Sequence, residues 1–298
     1  VGLPSISWVE SVLGPFVINL NQTTTIPSPG DFEATLASIH SRIVSVEGQL
    51  TSREVECLAW LAAHPTTRGE VLEIGSFKGR STIVLAAASR LAGDAKIVAV
   101  DPLTSPCVTD PALGRDEVSA LKSFESNLAA ADVRSHVEFH QMFSNELAAS
   151  WPKERKIRLL WIDGDHTYAG AKRDFALFTP QLAEGAIVAF HDVLHHHGGP
   201  ARVMAEDVLL SPNFGAAGLC GSIGWSQYFS DVKETQRWTR SKLGLYRQLS
   251  RVISYTAFGG DIEGLRKVGY KLARALAPHG DFDRARWSRD VCFARKSE

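Results

Sequence analysis

Residues 71–82, VLEIGSFKGRST, constrain the fold of this chain more than any other stretch. Val71, Leu72 and Ile74 read as a buried strand. Gly75 and Gly79 read as a turn, and Ser81 and Thr82 fall in the first turn of a helix. A strand that runs through glycines into a helix N-terminus is a ligand-docking device: the glycines let backbone approach a ligand, and free N–H groups and the helix dipole face it. An ordinary strand–loop–helix connection would carry the same pattern, so the ligand has to be argued from its neighbours. The dinucleotide fingerprint G-x-G-x-x-G fails, because counting from Gly75 puts Phe77 and Arg80 where glycines are needed. The phosphate-binding loop fails as well, since no Gly-Lys-Ser/Thr occurs in the stretch. What stands is E-x-G-x-x-x-G, with Glu73 two residues before Gly75. A carboxylate beside the turn suits a ligand with an ammonium group better than one with phosphates, and S-adenosylmethionine is such a ligand.

The flanks repeat the alternation. Apolar spacing predicts a helix over residues 31–50 capped by Asp31, and a second after a capping box at Thr51 and Glu54. Strands are expected at 70–75, 96–101, 137–140, 157–163 and 186–191. Helices are expected between them, at 80–91, 114–131, 144–151 and 167–178. A helix at 200–210 and strands near 214–219 and 223–229 complete the pattern. Strands alternating with helices mean a doubly wound, mostly parallel α/β sheet covered on both faces. Three regions follow: an N-terminal arm and helix over 1–50, a catalytic core over 51–230, and a C-terminal helical appendage over 231–298. Residues 290–294 alternate like a closing strand.

In such sheets ligands bind beyond the carboxyl ends of the strands, and here those ends are chemically loaded. Asp101 ends the second strand, where an acid accepts hydrogen bonds from a ribose diol. Met142 ends the third, where an adenine ring can lie against apolar side chains. WIDGDHTY over 161–168 puts Asp163, Asp165 and His166 at the end of the fourth strand. FHDV over 190–193 puts His191 and Asp192 at the end of the fifth. Two carboxylates facing one small volume repel unless a proton or cation sits between them, and a hard divalent ion such as Mg²⁺ is the natural filling. Asp163 and Asp192 are the expected ligands, with His191 third. His166, with an ordinary pKa near 6.5, or a metal-bound aspartate such as Asp163 suits removal of a proton from an acceptor hydroxyl, and Asp163 and Met142 are also expected to border the cofactor. Asp165 reads equally as a cap for the next helix. His195, His196 and His197 read as a polar loop, since adjacent residues ordinarily point apart.

Composition removes several classes of function. A net charge of −1 makes no electrostatic case for nucleic acid or an anionic membrane. No apolar run approaches the roughly 18 residues of a membrane span. Glu10 and the lack of a basic flank argue against a secretory signal. Four scattered cysteines without metal spacing point to reduced thiols and a cytoplasmic setting.

Taken together, VLEIGSFKGRST, VAVDP at 98–102, WIDGDHTYAGAKRDF at 161–175 and GAIVAFHDV at 185–193 resemble the class I S-adenosylmethionine-dependent methyltransferases. The closer likeness is to the branch of metal-dependent O-methyltransferases that tailor macrolides and sugars. The resemblance covers about 55–230. It implies a seven-stranded sheet with its last strand antiparallel. It also implies cofactor contacts at Glu73, Gly75, Ser76, Ser81 and Asp101, and an Mg²⁺-type site at Asp163 and Asp192. Similar proteins often carry an acid where this chain has His191. The implied acceptor is a hydroxyl of a small molecule, with a sugar or polyketide sugar favoured. The N-terminal arm is expected either to cover a pocket or to reach a neighbouring subunit of a homo-oligomer. Two rival readings use the same residues: a metal-dependent hydrolase or hydroxylase, and a non-catalytic nucleoside-binding subunit.

Overall fold

The computed structural model describes residues 32–93, 96–103, 117–256 and 262–293. The predicted N-terminal arm, the cap at Asp31, Cys107 and most of the proline-containing loop after Asp101 lie outside these residues.

Two helices, α1 (Phe32–Ile43) and α2 (Ser52–Ala63), lead into the core. The core strands are β1 (Glu70–Ile74), β2 (Ile97–Val100), β3 (Val137–His140), β4 (Ile157–Ile162), β5 (Leu182–Phe190), β6 (Phe214–Cys220) and β7 (Ile223–Tyr228). Between them run α3 (Arg80–Ser89), α4 (Glu117–Ala130), α5 (Ser144–Ser150), α6 (Tyr168–Phe178) and α7 (Gly199–Val203). Among the described residues the strands form one seven-stranded sheet in the order β3-β2-β1-β4-β5-β7-β6. The first five are parallel, and β7 is antiparallel to both its neighbours, as predicted. After β3 the chain returns to the other side of β1, so the topological switch point lies between β1 and β4, where open α/β sheets bind ligands.

The strands are apolar on both faces because each face has its own core. Val71, Ala99, Leu159, Trp161 and Ala189 meet α1, α2 and α3 on one side. Leu72, Val98, Leu160, Val188 and Phe190 meet α6 and the later helices on the other. At about 1.5–3 kcal/mol per fully buried side chain, a polar substitution on either face of β1 or β4 would be costly. This is why the strands read as continuous runs and not as alternations. Arg80, at the start of α3, ties in the N-terminal helices by donating to the carbonyls of Ile43, Val46 and Leu50.

Three expectations need correction. Strand β5 begins at Leu182, four residues early. A bulge separates the Ile157–Leu182 pair from Leu159–Ile187, and Gly185 within it has φ +83°. The helix after β5 is α-helical only through Val203, then widens to a π-helical turn over Met204–Leu209. The closing strand does not form over 290–293. Helix α10 (Arg284–Asp290) runs into the segment, fixed by Trp287, which is buried against Trp60 and Trp225. Past it, Cys292 N–H donates to Gln227 Oε1 and Gln227 Nε2 donates to Cys292 O. A glutamine side chain thus takes the place of a neighbouring strand.

Helix α8 (Thr239–Thr256) packs on α7 and the π turn, and α9 (Gly264–Ala275) packs on α8. Tyr270 of α9 donates its hydroxyl to Leu194 O at 2.5 Å, which brings the C-terminal region to the loop after β5. Among the described residues no helix is long and apolar enough to cross a membrane.

Candidate active site

The glycine turn is built against the end of β4. Asp163 N–H donates to Ile74 O at 2.8 Å, which brings the two strand ends together. Gly75 has φ +89°, and a Cβ placed there would lie 2.2 Å from Asp163 O. Only glycine passes at that point. Gly79, also left-handed at φ +87°, opens α3.

Around this turn the predicted cofactor residues form two polar groups. Asp101 Oδ2 accepts from Ser76 N (2.7 Å) and Phe77 N (2.8 Å), and Oδ1 accepts from Leu103 N at 2.8 Å. Asp101 therefore shapes the turn, and Oδ1 keeps lone-pair capacity toward the pocket. Glu73 is fully buried beneath the turn, where Oε2 accepts from Ser76 Oγ (3.0 Å) and Thr82 Oγ1 (2.6 Å). Burial pushes its carboxyl up to about 7, against hydrogen bonds from Ser81, Thr82 and Ser76. Among the described residues Oε1 has no hydrogen-bond partner. Met142 is partly buried and packs on the core face of α5 and α6.

The second half of the site is a knot of four side chains. His191 Nδ1 lies 3.2 Å from Asp163 Oδ1 and 3.4 Å from Asp192 Oδ1. His166 Nε2 lies 3.2 Å from Asp192 Oδ2 and 3.6 Å from Asp163 Oδ1. His191 N–H donates to Ile162 O, which aligns the ends of β4 and β5. Asp192 sits at φ +58°, a left-handed conformation that few non-glycine residues adopt and that aspartate tolerates. Val193 N–H, bonded to Ser222 O at 2.9 Å, helps to hold it there. His166 is fixed by its loop. Asp165 Oδ1 accepts from Thr167 N, and Thr167 Oγ1 accepts from Gly170 N, so Thr167, not Asp165, caps α6. Gly199 packs so closely that a Cβ would lie 2.2 Å from His166 O.

Electrostatics follow from this packing. Burial opposes the charge on His191, Asp163 and Asp192, and attraction between the acids and the imidazoles outweighs it. The His191 imidazole is pushed well above its ordinary range by Asp163 and Asp192. Both carboxyls are held down, Asp163 by His191 and His166, and Asp192 by the same two imidazoles.

Glu54 is a member of this network that motif reading assigned only to helix capping. It does accept from Thr51 N at 2.8 Å. It also accepts from Ser222 N (2.6 Å) and Ser222 Oγ (2.8 Å), and its Oε2 lies 3.9 Å from His191 Nε2. Burial works against its charge, but His191, Ser222 and Thr51 hold its carboxyl near 2. Its partners lie 137 and 168 residues away, beyond the reach of a local pattern.

The donor set fits a divalent cation. One ligand atom each from Asp163, His191 and Asp192 lie within 4.8 Å of one another. Asp163 and Asp192 need no change to bind, whereas His191 must first give up the proton on Nδ1.

Residues 72–193 match the protein family described as a methyltransferase domain, an interval that runs from β1 through Asp192. Several solved structures are similar to this chain. A Corynebacterium glutamicum protein superposes with a TM-score of 0.50 at 14% identity, over 66% of this chain and 91% of its own. The O-methyltransferase TomG from Streptomyces achromogenes, solved with S-adenosylmethionine, gives 0.47 at 18% identity over 67% and 90%. The O-methyltransferase NovP gives 0.48 at 14% identity over 66% and 98%. At 14% identity, the likeness to the Corynebacterium glutamicum protein is one of fold.

Proposed function

We propose that this chain is a class I S-adenosylmethionine-dependent methyltransferase that methylates a hydroxyl oxygen of a small molecule, a sugar or glycosylated metabolite, with a divalent cation held by Asp163 and Asp192. The observation that carries this reading is the gathering of Asp163, His166, His191 and Asp192 at the ends of β4 and β5, beside the turn at Gly75.

The two halves of the site divide the work. The turn holds the methyl donor: Gly75 and Ser76 offer approachable backbone, Ser81 lies in the first turn of α3, Asp101 Oδ1 faces the ribose, and Glu73 lies buried beneath. Met142 takes the adenine side. The donor arrives with an activated methyl on its sulfonium, so positioning supplies much of the rate. On the other side His166 takes the acceptor's proton. Asp192 and Asp163 hold its ring in place and stabilise the imidazolium that results. Bound between the two acids, a cation such as Mg²⁺ supplies charge that makes a neighbouring hydroxyl more acidic. His191 and Glu54 hold the acids in position from behind.

Asp163→Asn tests this division. The variant should bind S-adenosylmethionine in isothermal titration within a few-fold of the wild type and lose metal-stimulated turnover. Full wild-type turnover in the presence of a strong chelator would remove the cation from the mechanism. Failure of the wild type to bind S-adenosylmethionine would remove the donor assignment.

A further inference from the structure

We propose a second metal site, separate from the acids, formed by the imidazoles of His195, His196 and His197 and selective for a borderline transition-metal ion such as Zn²⁺. Three consecutive side chains on a loop ordinarily diverge. The structure does the opposite. The backbone bends at each of the three residues, which curls the loop and turns the rings inward. One nitrogen from each lies within 4.8 Å of the other two. The ring centroids stand 4.1 Å apart for His195–His196, 3.9 Å for His196–His197 and 5.1 Å for His195–His197.

Tetrahedral zinc with bonds of about 2.0–2.1 Å to imidazole needs its nitrogens roughly 3.3 Å apart. Small ring rotations within this cluster reach that spacing. The donor chemistry is also specific. Three neutral nitrogens with no carboxylate among them suit zinc, cobalt, nickel or copper, and suit Mg²⁺ poorly.

A further observation points the same way. The buried Nδ1 of His195 has no hydrogen-bond partner among the described residues, so it lacks the satisfaction that buried polar atoms normally find. Three protein ligands leave a fourth position for water or another ligand. The loop is anchored at its start, through His195 N–H to Asp192 O and Tyr270 Oη–H to Leu194 O. An ion there would brace the segment between β5 and α7 that forms the rim of the acceptor side.

The test uses the full, untagged protein, stripped with chelator and titrated with Zn²⁺ against a chromophoric competitor, and with Co²⁺ for its visible spectrum. Wild type should take up one Zn²⁺ at this site, and Co²⁺ should give the intense bands of a low-coordinate, nitrogen-ligated ion. His196→Ala removes an exposed ring and should leave the circular dichroism spectrum unchanged. It should weaken Zn²⁺ at least as much as loss of a mere supporting partner does, about 10–100-fold. Asp163→Asn should leave this binding within about threefold of wild type, which separates the site from the one proposed for Mg²⁺. Equal Zn²⁺ affinity in His196→Ala and wild type would overturn the proposal. So would Zn²⁺ binding that disappears in Asp163→Asn, or a Co²⁺ spectrum that shows only weak octahedral bands.

Discussion

Replacing Gly75 by alanine should damage both the stability of this protein and its donor site, and the structure sets the size of the effect. At φ +89° any Cβ is strained, and here it would also lie 2.2 Å from Asp163 O, 2.5 Å from Asp163 C and 2.7 Å from Gly164 N. These are backbone atoms, so no side chain can swing aside to relieve the contact. Left-handed backbone costs an L-residue roughly 1–2 kcal/mol, and overpacking typically adds about 1–3 kcal/mol. Stiffening of the unfolded chain returns about 0.4–1 kcal/mol. The expected net loss is about 2–4 kcal/mol, or on the order of 10 °C in Tm for a chain of this size. Gly93 supplies the control. It has φ +103°, and nothing lies within 4 Å of a Cβ built there. Gly93→Ala therefore carries the conformational strain without the collision and should cost about 1 kcal/mol or less. Urea denaturation followed by tryptophan fluorescence reads both, and titration with S-adenosylmethionine should show binding weakened only in Gly75→Ala. If Gly75→Ala is no less stable than Gly93→Ala, the β1 turn does not pass against β4 as described and the reasoning fails.

The buried carboxyls make two further predictions. Glu73, with its carboxyl pushed up to about 7 from 4.5, holds its proton in the folded state while the unfolded chain has lost it. Its contribution is complete below the unfolded value and is lost as pH rises through about 7. Stability of the ligand-free protein should therefore decline across that window, by up to about 3 kcal/mol, and Glu73→Gln should flatten the decline. A pH-independent wild type between those values would contradict it. Glu54→Ala should cost at least about 2 kcal/mol, because the N–H and hydroxyl of Ser222 are then left buried without an acceptor. Denaturation that shows a loss below about 0.5 kcal/mol would mean water replaces the carboxylate freely.

What was legible in the sequence follows from the range of the interactions involved. The parallel strands read clearly because they are buried on both faces, as with Val71 and Leu72 feeding opposite cores. Asp101, Asp163 and Asp192 were legible because strand ends in this architecture converge on one edge. Glu54 was legible only as a helix-capping acid, since the histidine and serine that give it a second role are distant in sequence. The convergence of His195, His196 and His197 depends on three successive bends that no residue type in the tripeptide announces. Asp290 to Phe293 shows how a local pattern misleads. The alternation is real, but Trp287 commits the preceding turn to a helix, and the amide of Gln227 satisfies Cys292 without a strand.

The central claim is that the turn at Gly75 holds a methyl donor while the knot at Asp163, His166 and Asp192 prepares a hydroxyl. It is tested most directly by incubating the protein and a divalent cation with methyl-labelled S-adenosylmethionine and a panel of sugars, glycosides and catechols, with products read by mass spectrometry. The account predicts at least one product carrying a single labelled methyl on oxygen, formed by wild type and not by a His166→Ala, Asp192→Asn double variant that still binds the donor. Equal product formation by that double variant, or label found only on nitrogen or carbon acceptors, would contradict it.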